Sequence, residues 1–289
     1  IPSTVTNIGS NAFAYCTQLT NAVIDANITK TPYNMFGNCT NLTSVTLPDT
    51  LTDLDDRCFD SCSALTGVTL TDNITRIGSS VFSRCSQLQD IHIPTGLTAI
   101  SDNMCGYCTS LTEVVIPDSV ETIGSRAFYE CEKITKITLG ANVKTINSYA
   151  FSYIESLQTI TIKAFNAPAI TQNVFSGVNN PVTVCYPYGA DYSTWMEMFP
   201  NWTFVTDVAP TECLELSITA DDVRGNDTST AIHWTATVRG VDAFTNETVV
   251  KTVSGTVTSE TFPQNTSETN TVERTVSYTL LGVTATTTF

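Results

Sequence analysis

Apolar residues recur every 23 positions along most of the chain, in three columns. One column is made of cysteines: Cys16, Cys39, Cys62, Cys85, Cys108 and Cys131. A phenylalanine column lies three residues before it, with Cys105 as a substitution, and a leucine or isoleucine column lies three residues after it. A fixed period of about 20–29 residues predicts a solenoid, in which no single unit can bury its apolar face alone.

Within each unit the apolar spacing changes, and the change predicts local structure. The end of Leu42-x-x-Val45-x-Leu47 alternates with period two, as in a strand with one buried face. Residues from Val81 to Leu88 place apolar side chains at i, i+1, i+4 and i+7, the spacing of one buried helical stripe. Each unit is therefore predicted to be a strand, a turn and a short helical turn. The strands expected in one parallel sheet are Leu42–Leu47, Leu65–Leu70, Leu88–Ile93, Leu111–Ile116, Ile134–Leu139 and Leu157–Ile162.

The repeat consensus resembles the bacterial BspA-like leucine-rich repeat family. The unit Leu111 to Cys131, LTEVVIPDSVETIGSRAFYEC, matches L-x-x-[VI]-x-[IL]-P-x-x-[VIL]-x-x-I-G-x-x-A-F-x-x-C nearly throughout. The resemblance covers residues 1–205 and implies an α/β leucine-rich repeat solenoid. It implies a parallel sheet on the concave side, short helical turns on the other side, and a C-terminal cap at about 181–205. Because Ile1-Pro2 aligns with Ile116-Pro117, the chain is expected to be a fragment or a processed product that begins within a repeat.

After residue 205 the repeat is lost, and residues 206–289 contain short strand-like runs separated by polar turns. Alternating apolar residues occupy Leu214–Ile218 and Ile232–Val238, and further runs extend to Phe289. This pattern predicts an all-β sandwich that resembles a bacterial immunoglobulin-like domain, with Trp234 as the core aromatic residue.

Composition limits the function. The 289 residues carry 13 basic and 28 acidic side chains, so the net charge of −15 argues against nucleic-acid binding and against an anionic membrane surface. No apolar run approaches the roughly 18 residues of a membrane-spanning helix. Only 14% of residues are charged, which suits an extracellular or cell-surface protein. Any signal or anchor segment is expected outside this fragment.

The cysteines are interpreted as a reduced ladder, because stacked inward thiols behave as small apolar groups. Cys39, Cys62, Cys85, Cys108 and Cys131 should be buried. Cys185 and Cys213 are the more oxidisable pair, although their pairing stays open. Cys105-Gly-Tyr-Cys108 reads as C-x-x-C, but both residues occupy inward columns and no second pair supplies further metal ligands.

Two surface groups are candidates for ligand binding. Asp90, His92 and Glu113 fall on adjacent strands of the concave face; the alternative is an ordinary solvated sheet face. Tyr107, Tyr129 and Tyr153 fall outside the buried columns on the opposite side, where they form a tyrosine stripe or are scattered surface residues.

No catalytic motif, cofactor motif or metal site is predicted. His92 and His233 lie in different predicted domains, and the loop Asp221–Asp227 is read as a solvated turn rather than a calcium site. The family resemblance implies a non-enzymatic adhesion protein whose solenoid binds a host protein or another surface macromolecule. The alternative is a structural spacer or a carbohydrate-binding module of a larger surface assembly, with the sandwich as the binding part.

Overall fold

The computed structural model describes residues 1–187 and 190–206 and, as backbone, the strands at 232–241, 248–257, 275–280 and 283–288. The chain divides into two compact units, Ile1–Val205 and Thr206–Phe289. The predicted features at Cys213, Leu214–Ile218 and Asp221–Asp227 lie outside the described residues, as do the side chains of His233 and Trp234.

The repeats form coils whose strands pair in parallel with the strands one repeat later, so Glu113 lies opposite Lys136 and Asp53 lies opposite Arg76. In chain order the strands of residues 1–206 are β1 (Asn21–Val23), β2 (Ser44–Thr46), β3 (Asp53–Leu54), β4 (Arg76–Ile77), β5 (Ala99–Ile100), β6 (Glu113–Val115), β7 (Thr122–Ile123), β8 (Lys136–Leu139), β9 (Thr145–Ile146), β10 (Thr159–Ile162), β11 (Thr183–Tyr186) and β12 (Thr203–Thr206). The strand face carries β1 paired with β2 and a five-stranded sheet in the order β12-β11-β10-β8-β6. A second, short-strand face carries β3-β4 and β5-β7-β9.

The strand face is interrupted in the middle, where the predicted strands Leu65–Leu70 and Leu88–Ile93 are not regular. The prediction of one continuous sheet is therefore wrong there. Gly67 and Asp90 occupy equivalent central positions of these two coils, and both residue types are depleted in strands. The inter-coil bond is correspondingly long: the Gln89 N–H lies 3.3 Å from the Thr66 carbonyl.

The predicted short helical turns do not form. Between residues 1 and 171, all of which are described, the third side of each coil consists of turns. A helix would direct every N–H to its own preceding turn. Here alternate N–H groups leave the coil: Phe59 donates to the Val81 carbonyl at 2.9 Å, whereas Asp60 donates to the Arg57 carbonyl at 3.0 Å. In the described residues, helices are confined to a 3₁₀ turn (Gln172–Phe175) and α1 (Ser193–Met198).

Left-handed backbone at two positions per coil, four residues apart, makes these turns possible. We call this side the turn face. The left-handed residues other than glycine are Asn11, Tyr15, Asn34, Asn38, Arg57, Ser61, Ser80, Arg84, Asn103, Tyr107, Arg126, Glu130, Tyr149 and Tyr153. The inward spacing that resembled a helix arises from linked β-turns, each closed by a hydrogen bond to the carbonyl three residues earlier. The Cys85 N–H donates to the Phe82 carbonyl at 3.1 Å, and the Leu88 N–H donates to the Cys85 carbonyl at 3.0 Å.

The phenylalanine column packs as a ladder inside the coils. Neighbouring rings in Phe13–Phe36–Phe59–Phe82 and Phe128–Phe151–Phe175 have centroids 5.4–5.7 Å apart and planes within 14° of parallel. Cys105 separates the two runs and is itself fully buried. The stacked rings therefore keep the same repeat register in the core before and after Cys105.

The cysteine column is buried, as predicted, and its thiols are hydrogen-bonded. Each thiol donates to the carbonyl of the phenylalanine position one coil earlier, with Sγ–O distances of 3.0–3.2 Å for Cys39, Cys62, Cys85, Cys108 and Cys131. All five are unpaired and buried, whereas Cys16 at the end of the column is exposed. Cysteine fits because it combines a small apolar side chain with a weak donor.

The last coil is covered by aromatic side chains from α1 and the residues before it. Tyr192 and Trp195 are buried. The Trp195 Nε1–H donates to the Pro168 carbonyl at 3.0 Å, and the Tyr192 hydroxyl donates to the Ala164 carbonyl at 2.7 Å. Trp195 also meets Phe175, the last ring of the ladder, edge to face at 5.9 Å. Both polar groups are thus satisfied while the rings close the core.

The second unit is described by four strands. β13 (Ile232–Val241) pairs antiparallel with β14 (Thr248–Val257), and β15 (Thr275–Leu280) pairs antiparallel with β16 (Val283–Thr288). These strands overlap the runs expected from the sequence. The immunoglobulin-like sandwich stays a prediction.

The ladder predicts a large cost for truncating a ring. Phe82→Ala removes a fully buried ring stacked on Phe59 at 5.6 Å and should lower the free energy of unfolding by about 3–5 kcal/mol. Phe165→Ala is the matched control, because Phe165 is 59% exposed and should change it by less than about 0.5 kcal/mol. Urea unfolding of the full chain followed by circular dichroism measures both, and equal effects would contradict the ladder's role.

The buried thiols predict a loss of stability at alkaline pH. Burial raises the pKa of Cys58 to about 12 and also raises the pKa of Cys62, Cys85, Cys105 and Cys131. In the unfolded chain these thiols ionise at about pH 8.5. The contribution of these thiols to the free energy of unfolding is therefore fully present below about pH 8.5. It is lost as the pH rises from about 8.5 through the folded-state pKa values.

Urea midpoints measured at a series of pH values from neutral to alkaline test this dependence. Other groups of the protein titrate in the same pH range. The test therefore compares how steeply the stability of each variant declines with pH. Cys62→Ala should make the decline less steep, because one buried thiol no longer resists ionisation. Cys16→Ala, at an exposed position of the same column, should leave the slope unchanged.

Candidate functional site

The three candidate residues of the strand face are exposed, but they do not form one hydrogen-bonded cluster. His92 Nε2 lies 3.2 Å from Asp72 Oδ1, and Glu113 Oε1 lies 3.2 Å from Lys136 Nζ. Neither contact involves Asp90. The structure therefore gives His92 and Glu113 separate partners.

Asp72, the partner of His92, links neighbouring coils. Its Oδ1 accepts the Thr95 N–H at 2.8 Å as well as the contact from His92. The backbone hydrogen bond from Thr95, followed by the contact with His92, holds the pKa of Asp72 below its ordinary value. Both contacts favour the ionised carboxylate and connect neighbouring coils.

The candidate tyrosines of the turn face are brought together. Tyr107 and Tyr129 meet edge to face with ring centroids 5.4 Å apart, and Tyr129 meets Tyr153 in the same way at 5.4 Å. We call Tyr107, Tyr129 and Tyr153 the tyrosine row. Partial desolvation and the neighbouring Glu130 carboxylate raise the pKa of Tyr129, so this phenol stays a neutral hydrogen-bonding group.

Two arginines that the sequence analysis did not single out lie against these rings. The Arg84 guanidinium carbon is 5.1 Å from the centre of the Tyr107 ring. The Arg126 guanidinium carbon is 5.7 Å from the centre of Tyr129 and 5.8 Å from that of Tyr149. The repeat spacing could have identified both arginines, because Arg84 lies one repeat before Tyr107 and Arg126 lies one repeat before Tyr149.

An open groove of about 440 Å³ lies beside this cluster. We call it the arginine–tyrosine groove; it is lined by Arg84, Asp102, Asn103, Tyr107, Arg126 and Tyr149, together with two serines. Its cationic and aromatic groups come from successive coils.

Hydrogen bonds inside the lining hold the groove in shape. The Asn103 amide donates to Ser83 Oγ at 3.1 Å and to Ser80 Oγ at 3.2 Å. Asp102 Oδ1 accepts the Ser125 N–H at 2.7 Å. These bonds join adjacent coils, so the side chains of the groove are positioned by the same register as the core.

The last ring of the tyrosine row packs against a glycine. Gly177 has left-handed backbone with φ of 78°, and a Cβ there would lie 2.5 Å from Tyr153 Cδ1. The Tyr153 ring thus packs directly on backbone, because a side chain at residue 177 would displace it.

The cysteines of the C-x-x-C sequence are not part of this surface. Cys105 and Cys108 are both fully buried, as part of the core columns. In residues 1–187 and 190–206 and the four later strands, no three histidine, cysteine, aspartate or glutamate side chains lie together as a metal site. None of the helices within that part of the chain has the length and apolarity to span a membrane.

Parallel coils in a constant repeat register, an aromatic ladder and few helices define a solenoid of the leucine-rich repeat class. The comparison with protein families identifies the group more closely. Residues 1–112 and 98–196 match the BspA type leucine rich repeat region, with 6 copies. The chain belongs to this family.

The solved structures to which the chain is similar include three bacterial proteins. A leucine-rich repeat protein of T. pallidum is 24% identical with a TM-score of 0.40, and the match covers 56% of this chain and 70% of that one. A leucine rich cell surface protein from Faecalibacterium prausnitzii is 24% identical with a TM-score of 0.37, covering 66% and 65%. A leucine-rich repeat protein from Bacteroides ovatus is 25% identical with a TM-score of 0.43, covering 71% and 64%. The chain thus spans about two thirds of the length of the last two proteins. The comparison with curated proteins found no match.

The ring contacts predict that Tyr129 contributes to stability although it lies at the surface. Tyr129→Ala removes two edge-to-face contacts and one cation–π contact, and should lower the free energy of unfolding by about 1–3 kcal/mol. Tyr15→Ala is the control, because Tyr15 is 70% exposed and its loss should cost less than about 0.5 kcal/mol. Thermal unfolding measures both, and a Tyr129 variant as stable as the parent would show that the ring contacts contribute nothing.

Proposed function

We propose that this chain is a non-enzymatic recognition or adhesion protein that binds a macromolecule through the turn face of its solenoid. Leucine-rich repeat proteins typically bind other proteins, so the family match supports a protein-interaction role. Because each coil adds one position to every column, a solenoid presents several coils to one partner.

The tyrosine row and its two arginines carry this proposal. Tyrosine and arginine are the residue types that most often supply the energy of protein interfaces. The rings are ordered before binding, because each contacts another ring of the row at 5.4 Å. A ligand would therefore meet a surface with little side-chain entropy left to lose.

The strand face supports binding less well. Two of its three candidate residues are engaged with other side chains, Glu113 with Lys136 and His92 with Asp72, and its central coils lack regular strands. Threonine and serine supply many of its other exposed positions, including Ser44, Thr46 and Thr66. These residues are rarely interface anchors.

The proposed setting is the bacterial cell surface or the extracellular space, with a host protein or another surface macromolecule as the partner. The net charge of −15 and the low content of charged residues support this setting. The charge also supports a partner other than nucleic acid.

Two triple variants of the full chain test which face binds. The first is Tyr107→Ala, Tyr129→Ala and Tyr153→Ala; the second is Asp90→Ala, His92→Ala and Glu113→Ala. Binding is measured to a printed array of extracellular-matrix and cell-surface proteins. The tyrosine variant should weaken the strongest interaction at least about 10-fold, as expected for lost aromatic anchors, whereas the second variant should change it less than about 2-fold.

Circular dichroism and thermal unfolding establish that both variants remain folded at the assay temperature. If the second variant alone weakens binding, the strand face is the binding surface. If residues 206–289 bind as tightly as the full chain, the proposal is wrong, and the solenoid acts as a spacer for that unit.

A further inference from the structure

We propose that the arginine–tyrosine groove binds a single anionic sugar residue of a glycan, which carries either a carboxylate or a sulfate group. The proposal rests on the turn face being a recognition surface, and it names a ligand class for one part of it.

Arg126 supplies the first argument. Its side chain is exposed, and within the described part of the chain it has no hydrogen-bond acceptor and no carboxylate as an ion-pair partner. Its guanidinium is held against two rings at 5.7 and 5.8 Å. Because these ring contacts use no N–H acceptor, the N–H donors of Arg126 are left free for a carboxylate or sulfate, which a guanidinium can bind with two parallel hydrogen bonds.

Asp102 favours a sugar over a simple anion. One carboxylate oxygen accepts the Ser125 N–H at 2.7 Å, which leaves the other oxygen as an acceptor at the groove. That carboxylate would repel a small, highly charged ion such as phosphate. A sugar hydroxyl can instead donate to it, while the anionic group of the same sugar lies on Arg126.

The remaining lining also suits a polyhydroxylated ring. Ser125 and Ser148 line the groove and can each donate or accept a hydrogen bond, and Tyr149 adds a phenol. A volume of about 440 Å³ is at the small end of ligand pockets, which span about 300–1,000 Å³. One sugar ring with its anionic substituent fits within such a space.

Peptides and long polyanions fit less well. The turn-face N–H groups are already bonded, alternately to the next coil, as when Tyr107 donates to the Tyr129 carbonyl at 2.6 Å, and within their own coil, as when Gly106 donates to the Asn103 carbonyl at 3.3 Å. A peptide therefore finds no free strand edge here. The chain's net charge of −15 opposes the approach of a polymer with many negative charges. A glycan with an isolated anionic unit avoids both difficulties.

Ligand-observed NMR and calorimetry on the full chain test this assignment with four probes. Methyl glucuronide and the methyl glycoside of N-acetylneuraminic acid present a carboxylate, and galactose 6-sulfate presents a sulfate. Methyl glucoside is the matched neutral probe, because it differs from the glucuronide only at the acidic carbon. At least one anionic sugar should bind about 10-fold or more tightly than methyl glucoside, and the preferred probe identifies the anionic group.

Variants localise the binding. Arg126→Gln should weaken the anionic sugar about 10-fold or more, and Arg126→Lys should weaken it less, because lysine keeps the charge but loses the planar fork. Arg57→Gln is the matched control. Arg57 is exposed and left-handed like Arg126, and lies at the same repeat position three coils earlier, without a tyrosine against it within the described residues.

Several outcomes overturn the inference. They are equal affinity for the glucuronide and the glucoside, equal losses in the Arg126→Gln and Arg57→Gln variants, or no binding of any sugar while an acidic hexapeptide binds. None of these results bears on the protein array, so the proposed function would stand or fall separately on the tyrosine variant.

Discussion

The structure depends on backbone N–H groups that leave their own coil and bond to a neighbouring one. Every coil is completed in this way by its neighbour, as when the Phe82 N–H donates to the Met104 carbonyl at 2.8 Å on the turn face. On the strand face the Thr43 N–H donates to the Thr20 carbonyl at 2.8 Å. Because such bonds run along all sides, the offset between coils is fixed at one repeat. A shift by a single position would misplace every column at once.

The same register explains why the core uses cysteine beside phenylalanine. A large ring stacked in every coil leaves room for a small side chain three residues later, and that side chain faces a carbonyl of the preceding coil. The Cys85 thiol donates to the Phe59 carbonyl at 3.2 Å, and that carbonyl also accepts the Cys62 N–H at 3.1 Å. Alanine would lack the donor, and serine would bring a costlier polar group into the core. A buried thiol satisfies both demands while it stays protonated.

The period alone was enough to predict the columns, the buried thiols and the parallel register, because each depends on which residues recur at the repeat interval. It could not predict the turns, because linked β-turns and a helix bury similar positions. The two differ in where the backbone N–H groups point, and side-chain patterns do not record that. The interruption at Gly67 and Asp90 needed strand propensity rather than period. His92 was grouped with Asp90 and Glu113 by register, whereas its partner Asp72 comes earlier in the chain and off the column. Arg84 and Arg126 were within reach of the sequence, since each stands one repeat before a tyrosine.

The turn face is also where the fold stores conformational strain, and this bears on its role. Arg84, Arg126, Tyr107, Tyr149 and Tyr153 all have left-handed backbone. Such a conformation costs a residue other than glycine on the order of 1 kcal/mol or more, and asparagine tolerates it best. Asparagine does occupy four of these positions, at Asn11, Asn34, Asn38 and Asn103. Where the repeat has arginine or tyrosine instead, the residue adds nothing to core packing, because its side chain lies outside the buried columns. Their mutual contacts offset part of this cost, and the strain that remains supports the proposal that the turn face is a binding surface.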